Sequence, residues 1–211
     1  MNISVVIPTR GKEREAFVKH LTEHLLPYQT RQPDQVELID YEPTSDQNDQ
    51  HLRLAEGMSR VNGDLVLIME DNDWYSQGYI QEISSYWQSL GKPSLIGYAE
   101  TLYYHLKTNR YRKMHHRYRS SLFTTGMTLN VAQHTDWHKM DSKIDIRLWQ
   151  MWSGQTLSHG FQWSAVGIKH GIGKVGGIGH REDFSKTYDK GAEKLMGIVD
   201  GESFVFYNSF E

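Results

Sequence analysis

The chain has no cysteine among its 211 residues. That excludes a disulfide framework and every mechanism that runs through a thiolate. It fits a reducing compartment, and a cytoplasmic location is expected. No run approaches the ~18 apolar residues of a membrane span, so no membrane insertion is expected. The N-terminus enters Ile3-Ser-Val-Val-Ile7 without a basic region or cleavage site, so no signal peptide is expected either. Charge of one sign is also lacking. A net charge of −3 gives no overall drive towards nucleic acid or anionic membrane. Long repeats and linkers are absent, and the length suits a single domain over 1–211.

What is present first is an alternation of strands and helices. Ile3–Ile7 predicts a buried strand, broken by Pro8-Thr9-Arg10-Gly11. Phe17, Leu21, Leu25 and Leu26 follow at helical spacing, and Pro27 ends that pattern. Gln35–Tyr41 predicts a second strand. Leu52, Leu54, Ala55, Met58 and Val61 predict a second helix, closed by Asn62-Gly63. Leu65–Met69 reads as a strand buried on both faces, and Tyr75–Leu90 as a third helix. This order predicts an α/β domain with a mostly parallel central sheet flanked by helices. Beyond Leu95 the pattern alternates up to Met114, with Lys107–Arg110 as a turn, which predicts a smaller antiparallel hairpin. Ile144–Ser158 reads as helix, Phe161–Ile168 as a strand, and Phe204–Tyr207 as an edge strand.

The densest chemistry follows the third strand. Glu70, Asp71 and Asp73 stand at its carboxyl end, where open α/β sheets bind ligands. Like charges so close repel, and a bound cation or solvent relieves them. Hard oxygen ligands suit Mg²⁺ or Mn²⁺, ions that commonly hold phosphates. The plain alternative is a solvated turn that caps the next helix.

Ser4-Val-Val-Ile-Pro-Thr9, Gly63-Asp64 before the apolar strand, and Glu70-Asp-Asn-Asp-Trp74 after it resemble family 2 glycosyltransferases of the GT-A fold. Asp71-Asn72-Asp73 matches that family's DxD motif. The resemblance covers roughly the first 100 residues, with weaker echoes at Thr124–Met127 and near Asp145. It implies a metal-dependent enzyme that moves a sugar from a nucleotide-sugar, a UDP-sugar by preference, to a hydroxyl acceptor with inversion. Asp73 would bind Mn²⁺ or Mg²⁺, and Asp71 would face the sugar or ribose. Pro8, Thr9, Arg10 and Asp40 would contact the nucleotide. Asp145 would act as the base that accepts the acceptor's proton. The family's usual Glu-Asp pair is here Ile144-Asp145, and Asp141 is a rival. Residues 1–100 would form the donor half and 101–211 the acceptor half. A nucleotidyltransferase and an inactive nucleotide-sugar-binding protein are the alternatives.

Two further segments carry charge. Residues 169–181 hold five glycines within nine positions, flanked by Lys169, Lys174 and Arg181. Such a loop suits a diphosphate, because backbone N–H groups approach its oxygens closely. Gly171–Gly176 spells G-x-G-x-x-G, but no amphipathic helix follows, so a dinucleotide fingerprint is discounted. By the same resemblance His180, or else His170, would be a further metal ligand. Arg110, Arg112, Arg117 and Arg119 interleave with tyrosines, a combination that suits a nucleic-acid backbone. They keep DNA with hydroxymethylated bases among the acceptors considered. Trp74 is a candidate stacking surface for the acceptor, with a core role as the plain alternative.

Overall fold

A computed structural model describes residues 1–40, 49–140, 143–159, 162–171, 181–182 and 184–210. Among them the strands are β1 (Ile3–Thr9), β2 (Gln35–Asp40), β3 (Leu65–Ile68), β4 (Trp74–Tyr75), β5 (Leu95–Tyr98), β6 (Glu100–His105), β7 (Arg110–His115), β8 (Thr125–Thr128), β9 (Gly154–Leu157), β10 (Ala165–Lys169) and β11 (Thr187–Tyr188). The helices are α1 (Glu15–Lys19), α2 (Gln50–Arg60), α3 (Tyr79–Ser89), α4 (Leu129–His134), α5 (Ile144–Met151), α6 (Glu193–Met196) and α7 (Gly201–Asn208). α1 continues without a break into a π-helical stretch, His20–Leu25.

The central sheet has the order β2-β1-β3-β8-β5-β9. β1 is parallel to both β2 and β3, and β5 is parallel to β9. β8 runs antiparallel between β3 and β5. A second, mostly antiparallel sheet has the order β11-β7-β6-β10-β4. The mixed α/β architecture expected from the alternation is therefore present.

The central strands are buried on both faces because their apolar residues serve two cores. Ile3, Val5, Ile7, Leu65, Leu67 and Met69 point into one, beneath α1, α3 and the second sheet. Val6, Val66 and Ile68 point into the other, with Leu54 and Met58 of α2 and Val131 of α4. Each fully buried aliphatic side chain contributes about 1.5–3 kcal/mol.

Four local expectations are corrected. The helix read over Tyr75–Leu90 starts only at Tyr79, because Trp74 and Tyr75 pair antiparallel with Val166 and Ala165 of β10. The stretch from Leu95 to Met114 is divided: β5 joins the central sheet and only β6 and β7 form the hairpin. The helix read over Ile144–Ser158 ends at Met151, and Gly154–Leu157 forms β9. Gly154 permits this approach, since a Cβ there would lie 2.6 Å from the Leu95 Cβ and from the Trp149 ring. Phe204–Tyr207 lies inside α7 instead of forming an edge strand. Asp200 caps that helix by accepting from the Ser203 N–H at 2.9 Å. Phe206 and Phe210 then pack on Phe17 of α1, at ring separations of 5.6 and 4.7 Å.

Candidate active site

The two sheets meet where β3 hands the chain to β4. Residues 70–73 make that crossing, and hydrogen bonds hold them in place. The Glu70 N–H donates to the Tyr75 hydroxyl at 2.8 Å, and that hydroxyl donates to the Phe123 carbonyl at 3.2 Å. Asn72 donates through Nδ2 to Asp73 Oδ1 at 2.7 Å and to the Ile168 carbonyl at 2.6 Å. The Ile168 N–H donates to Asp73 Oδ1 at 2.7 Å. The acidic turn is thus stitched to β10, with Asp71, Asn72 and Asp73 all 1–2% exposed.

The two acids of the triplet have different surroundings. Asp71 has both oxygens engaged: Oδ2 accepts from the Thr9 hydroxyl at 2.6 Å, and Oδ1 from Arg14 NH1 at 2.8 Å. The same Arg14 nitrogen donates to Asn72 Oδ1 at 2.8 Å. Asp73 shares Oδ1 with β10, while its buried Oδ2 has no hydrogen-bond partner among the described residues. Burial pushes the Asp73 carboxyl well above the usual carboxylate range; Lys169 and the Ile168 N–H work against this, and Glu70 and Asp71 add to it. Glu70 is only half-buried and accepts from Gln50 at 3.2 Å.

Around this turn the fold gathers most of the donor-side candidates. Pro8 and Thr9 end β1, and Asp40 ends β2 in register with Thr9, its side chain exposed. Arg10 reaches Asp49 at 3.3 Å, and Asp49 also takes a two-pronged contact from Arg53 at 2.8 and 3.0 Å. Lys169 ends β10, 7% exposed, with its ammonium 5.1 Å above the Tyr103 ring. His170 is buried, with its ring 4.5 Å from Phe17. Burial, then the charges of Arg14, Lys169 and His105, drive its imidazole far below the ordinary value. It is therefore neutral at physiological pH. Arg181 is exposed. Lys174, His180 and the rival base Asp141 lie outside the described residues.

Asp145 stands in the first turn of α5 and forms an ion pair with Arg119. Burial raises its carboxyl, while Arg119 and the N–H groups of Ile146 and Asp145 lower it. Tyr103 links this acid to the turn. Burial raises the Tyr103 phenol, its bond to Ser121 at 2.8 Å opposes that, and Asp145, Asp73 and Glu70 each raise it further. One tyrosine therefore senses the acids of both halves.

The acceptor-side candidates are mostly turned inward. Trp74 is 4% exposed and donates to Asp200 at 2.9 Å, so it is a core residue that anchors the cap of α7, not a stacking surface. Arg110 donates to the Lys186 carbonyl at 3.1 Å. Arg112 donates to the Phe184 carbonyl at 3.3 Å and lies 4.5 Å over that ring. With Arg119 on Asp145, Arg110 and Arg117 are the two of the four that stay exposed, Arg117 stacked on exposed Tyr118 at 4.9 Å.

Arg14, Asn72 and Tyr103 join the site without having been candidates from the sequence. Arg14 left only its charge as a signal, in the short helical segment that follows β1. Asn72 and Tyr103 left none.

No family model matches the chain, and no curated protein matches its sequence. Solved structures do. Residues 1–349 of S. aureus TarS superpose with a TM-score of 0.55 at 11% identity, covering 81% of this chain and 61% of that one. The same protein in complex with UDP-GlcNAc gives 0.52 at 12% identity, covering 80% and 59%. Its complex with UDP gives 0.52 at 12%, covering 80% and 60%. This chain therefore spans about three-fifths of the TarS structures it matches. At such identity the likeness is one of fold, and the fold is the GT-A-like α/β arrangement with two sheets meeting at the acidic turn.

Proposed function

We propose that the protein is a glycosyltransferase that takes its sugar from a UDP-sugar. The reading rests above all on one observation: Thr9, Arg14, Asp71, Asp73 and Lys169 converge at the carboxyl end of β3. That position is the ligand crevice of an open α/β sheet. The fold shared with TarS, which has been solved with UDP and with UDP-GlcNAc, supports it. Residues 1–100 take the donor and 101–211 the acceptor. Pro8, Thr9, Arg10 and Asp40 contact the nucleotide, and Lys169 and Arg181 supply charge for the diphosphate.

A divalent cation fits this site at a single protein atom. Asp73 Oδ2 is a buried oxygen without a hydrogen-bond partner among the described residues. Among those residues no three histidine, cysteine or acidic side chains come together to cage an ion. Mg²⁺ and Mn²⁺ bound by one or two carboxylates and substrate phosphates need no such cage. Asp73 would hold the ion, with His180 as the further ligand. When bound, it supplies positive charge for the leaving diphosphate. The chain's own residues do the rest. Asp71 orients Thr9 and Arg14, and Asp145 accepts the proton of the attacking hydroxyl once the acceptor displaces Arg119. The acceptor is a hydroxyl-bearing molecule. The chain itself engages Arg112, on the Phe184 carbonyl, and Arg119, on Asp145, which weakens the argument for DNA.

The test is incubation with Mn²⁺ and a panel of UDP-sugars, reading UDP release with water as acceptor. Slow hydrolysis that is lost in Asp73→Asn and in Asp145→Asn is the expected result. Pyrophosphate release from a nucleoside triphosphate, with no UDP release, would make the protein a nucleotidyltransferase instead. Donor binding without turnover would make it a binding protein.

A further inference from the structure

We infer that the donor's diphosphate is gripped directly by Lys169 and Arg14, so that donor binding does not require a divalent cation. This rests on the UDP-sugar reading and adds how the site holds its anion.

Two independent observations meet here. The first is Lys169. It is only 7% exposed, and among the described residues no carboxylate forms an ion pair with its ammonium. Its neighbour is the face of Tyr103 at 5.1 Å. A buried ammonium without a direct ion pair is costly, and an aromatic face offsets only part of that cost. An anionic ligand completes such a site.

The second observation is Arg14. Its NH1 is fixed by Asp71 and Asn72 at 2.8 Å each, which orients the guanidinium plane. A guanidinium carries five N–H donors in a rigid fork, and phosphate oxygens match that fork. Arg14 is held by Asp71 and Asn72, and Asp73 accepts from the N–H of Ile168, the residue before Lys169, so both cations border the same acidic turn. Asp71 already has its counter-charge in Arg14, and Asp73 feels that of Lys169. The repulsion among the acids is thus relieved by the chain's own cations, and a metal is not needed to assemble the site. A diphosphate entering between Arg14 and Lys169 meets one oriented fork and one point charge.

The experiment is calorimetric titration of the full chain with UDP and with uridine, each in EDTA and in Mn²⁺. Wild type is expected to bind UDP in EDTA. Lys169→Met and Arg14→Met are each expected to weaken UDP binding by roughly 10- to 100-fold, the range for losing one charge-assisted contact. Uridine affinity should hold in both variants, and Lys169→Arg should recover part of the loss. UDP binding by wild type only when Mn²⁺ is present would overturn the inference and leave the transferase reading standing. A parallel loss of uridine and UDP would also overturn it, because both residues would then be structural. If wild type binds neither ligand under either condition, the UDP-sugar reading falls and takes this inference with it.

Discussion

Lowering the pH should loosen the C-terminal helix, and His20 sets the size of the effect. The His20 ring is stacked 4.1 Å from Phe206, and its Nε2 lies 3.0 Å from the Ser203 hydroxyl. His24 on its own helix stacks at 5.0 Å, and Asp200 at the start of α7 is the opposing charge. Burial, then the charge of His24, lowers the imidazole to about 4, and Asp200 only partly opposes this. The unfolded chain titrates near 6.5, so it binds the proton more tightly than the folded chain. The contribution is therefore complete above pH 6.5 and is lost progressively as pH falls towards 4. Within that window each pH unit removes ~1.4 kcal/mol, so between pH 7 and pH 5 the loss is about 2 kcal/mol. For a chain of this size that is roughly 4–8 °C of melting temperature. Denaturant unfolding of wild type and His20→Gln at pH 7, 6 and 5 measures it. The variant should be less stable at pH 7, having lost the ring contacts, but should fall less steeply with acid by about 2 kcal/mol. Parallel curves for the two proteins would refute the reasoning. The site feels this helix too, because Phe206 and Phe210 support Phe17, and Phe17 faces His170.

Other consequences can be measured directly. Gly97→Ala should cost about 2 kcal/mol in chemical denaturation, because its Cβ would lie 2.4 Å from Ser120 Cβ and 2.6 Å from the Thr124 carbonyl. Asp49→Ala removes the carboxylate shared by Arg53 and Arg10 and should cost about 3 kcal/mol in the same assay. Arg119→Met removes the cation that holds down the Asp145 carboxyl, so the acid limb of the donor-hydrolysis pH profile should move to higher pH. An unmoved limb would separate Asp145 from the proton transfer. Arg112→Ala should destabilise the fold by about 1 kcal/mol through its lost ring and carbonyl contacts, and leave DNA retention at low salt unchanged.

Local pattern was enough for the nucleotide-side architecture. Leu65–Met69 is apolar without alternation because both faces of β3 are covered, and a run of that kind has few other solutions. The α2 face is written at helical spacing, and the helix stops just short of Asn62-Gly63. The acids that follow β3 were visible as well, since a strand end and its acidic turn are adjacent in the chain. The second half was harder because its elements are short and borrow their stability from distant partners. β4 exists as a strand through Ala165 and Val166, and β9 through Leu95–Tyr98. The aromatic alternation of Phe204–Tyr207 fits a strand as well as a helix until the Asp200 cap and the Phe17 surface choose between them.

The amino-acid order by itself determined the βαβ frame and the placing of Glu70, Asp71 and Asp73 at a sheet edge, because periodicity and adjacency are local properties. Tertiary structure alone decided the partners of those acids. Arg14 meets Asp71 across 57 residues and the Ile168 N–H meets Asp73 across 95. It also turned Trp74 inward, laid Arg112 over the Phe184 ring, and left Lys169 buried over Tyr103. Such contacts form only when separate strands are brought side by side, so no spacing along the chain encodes them.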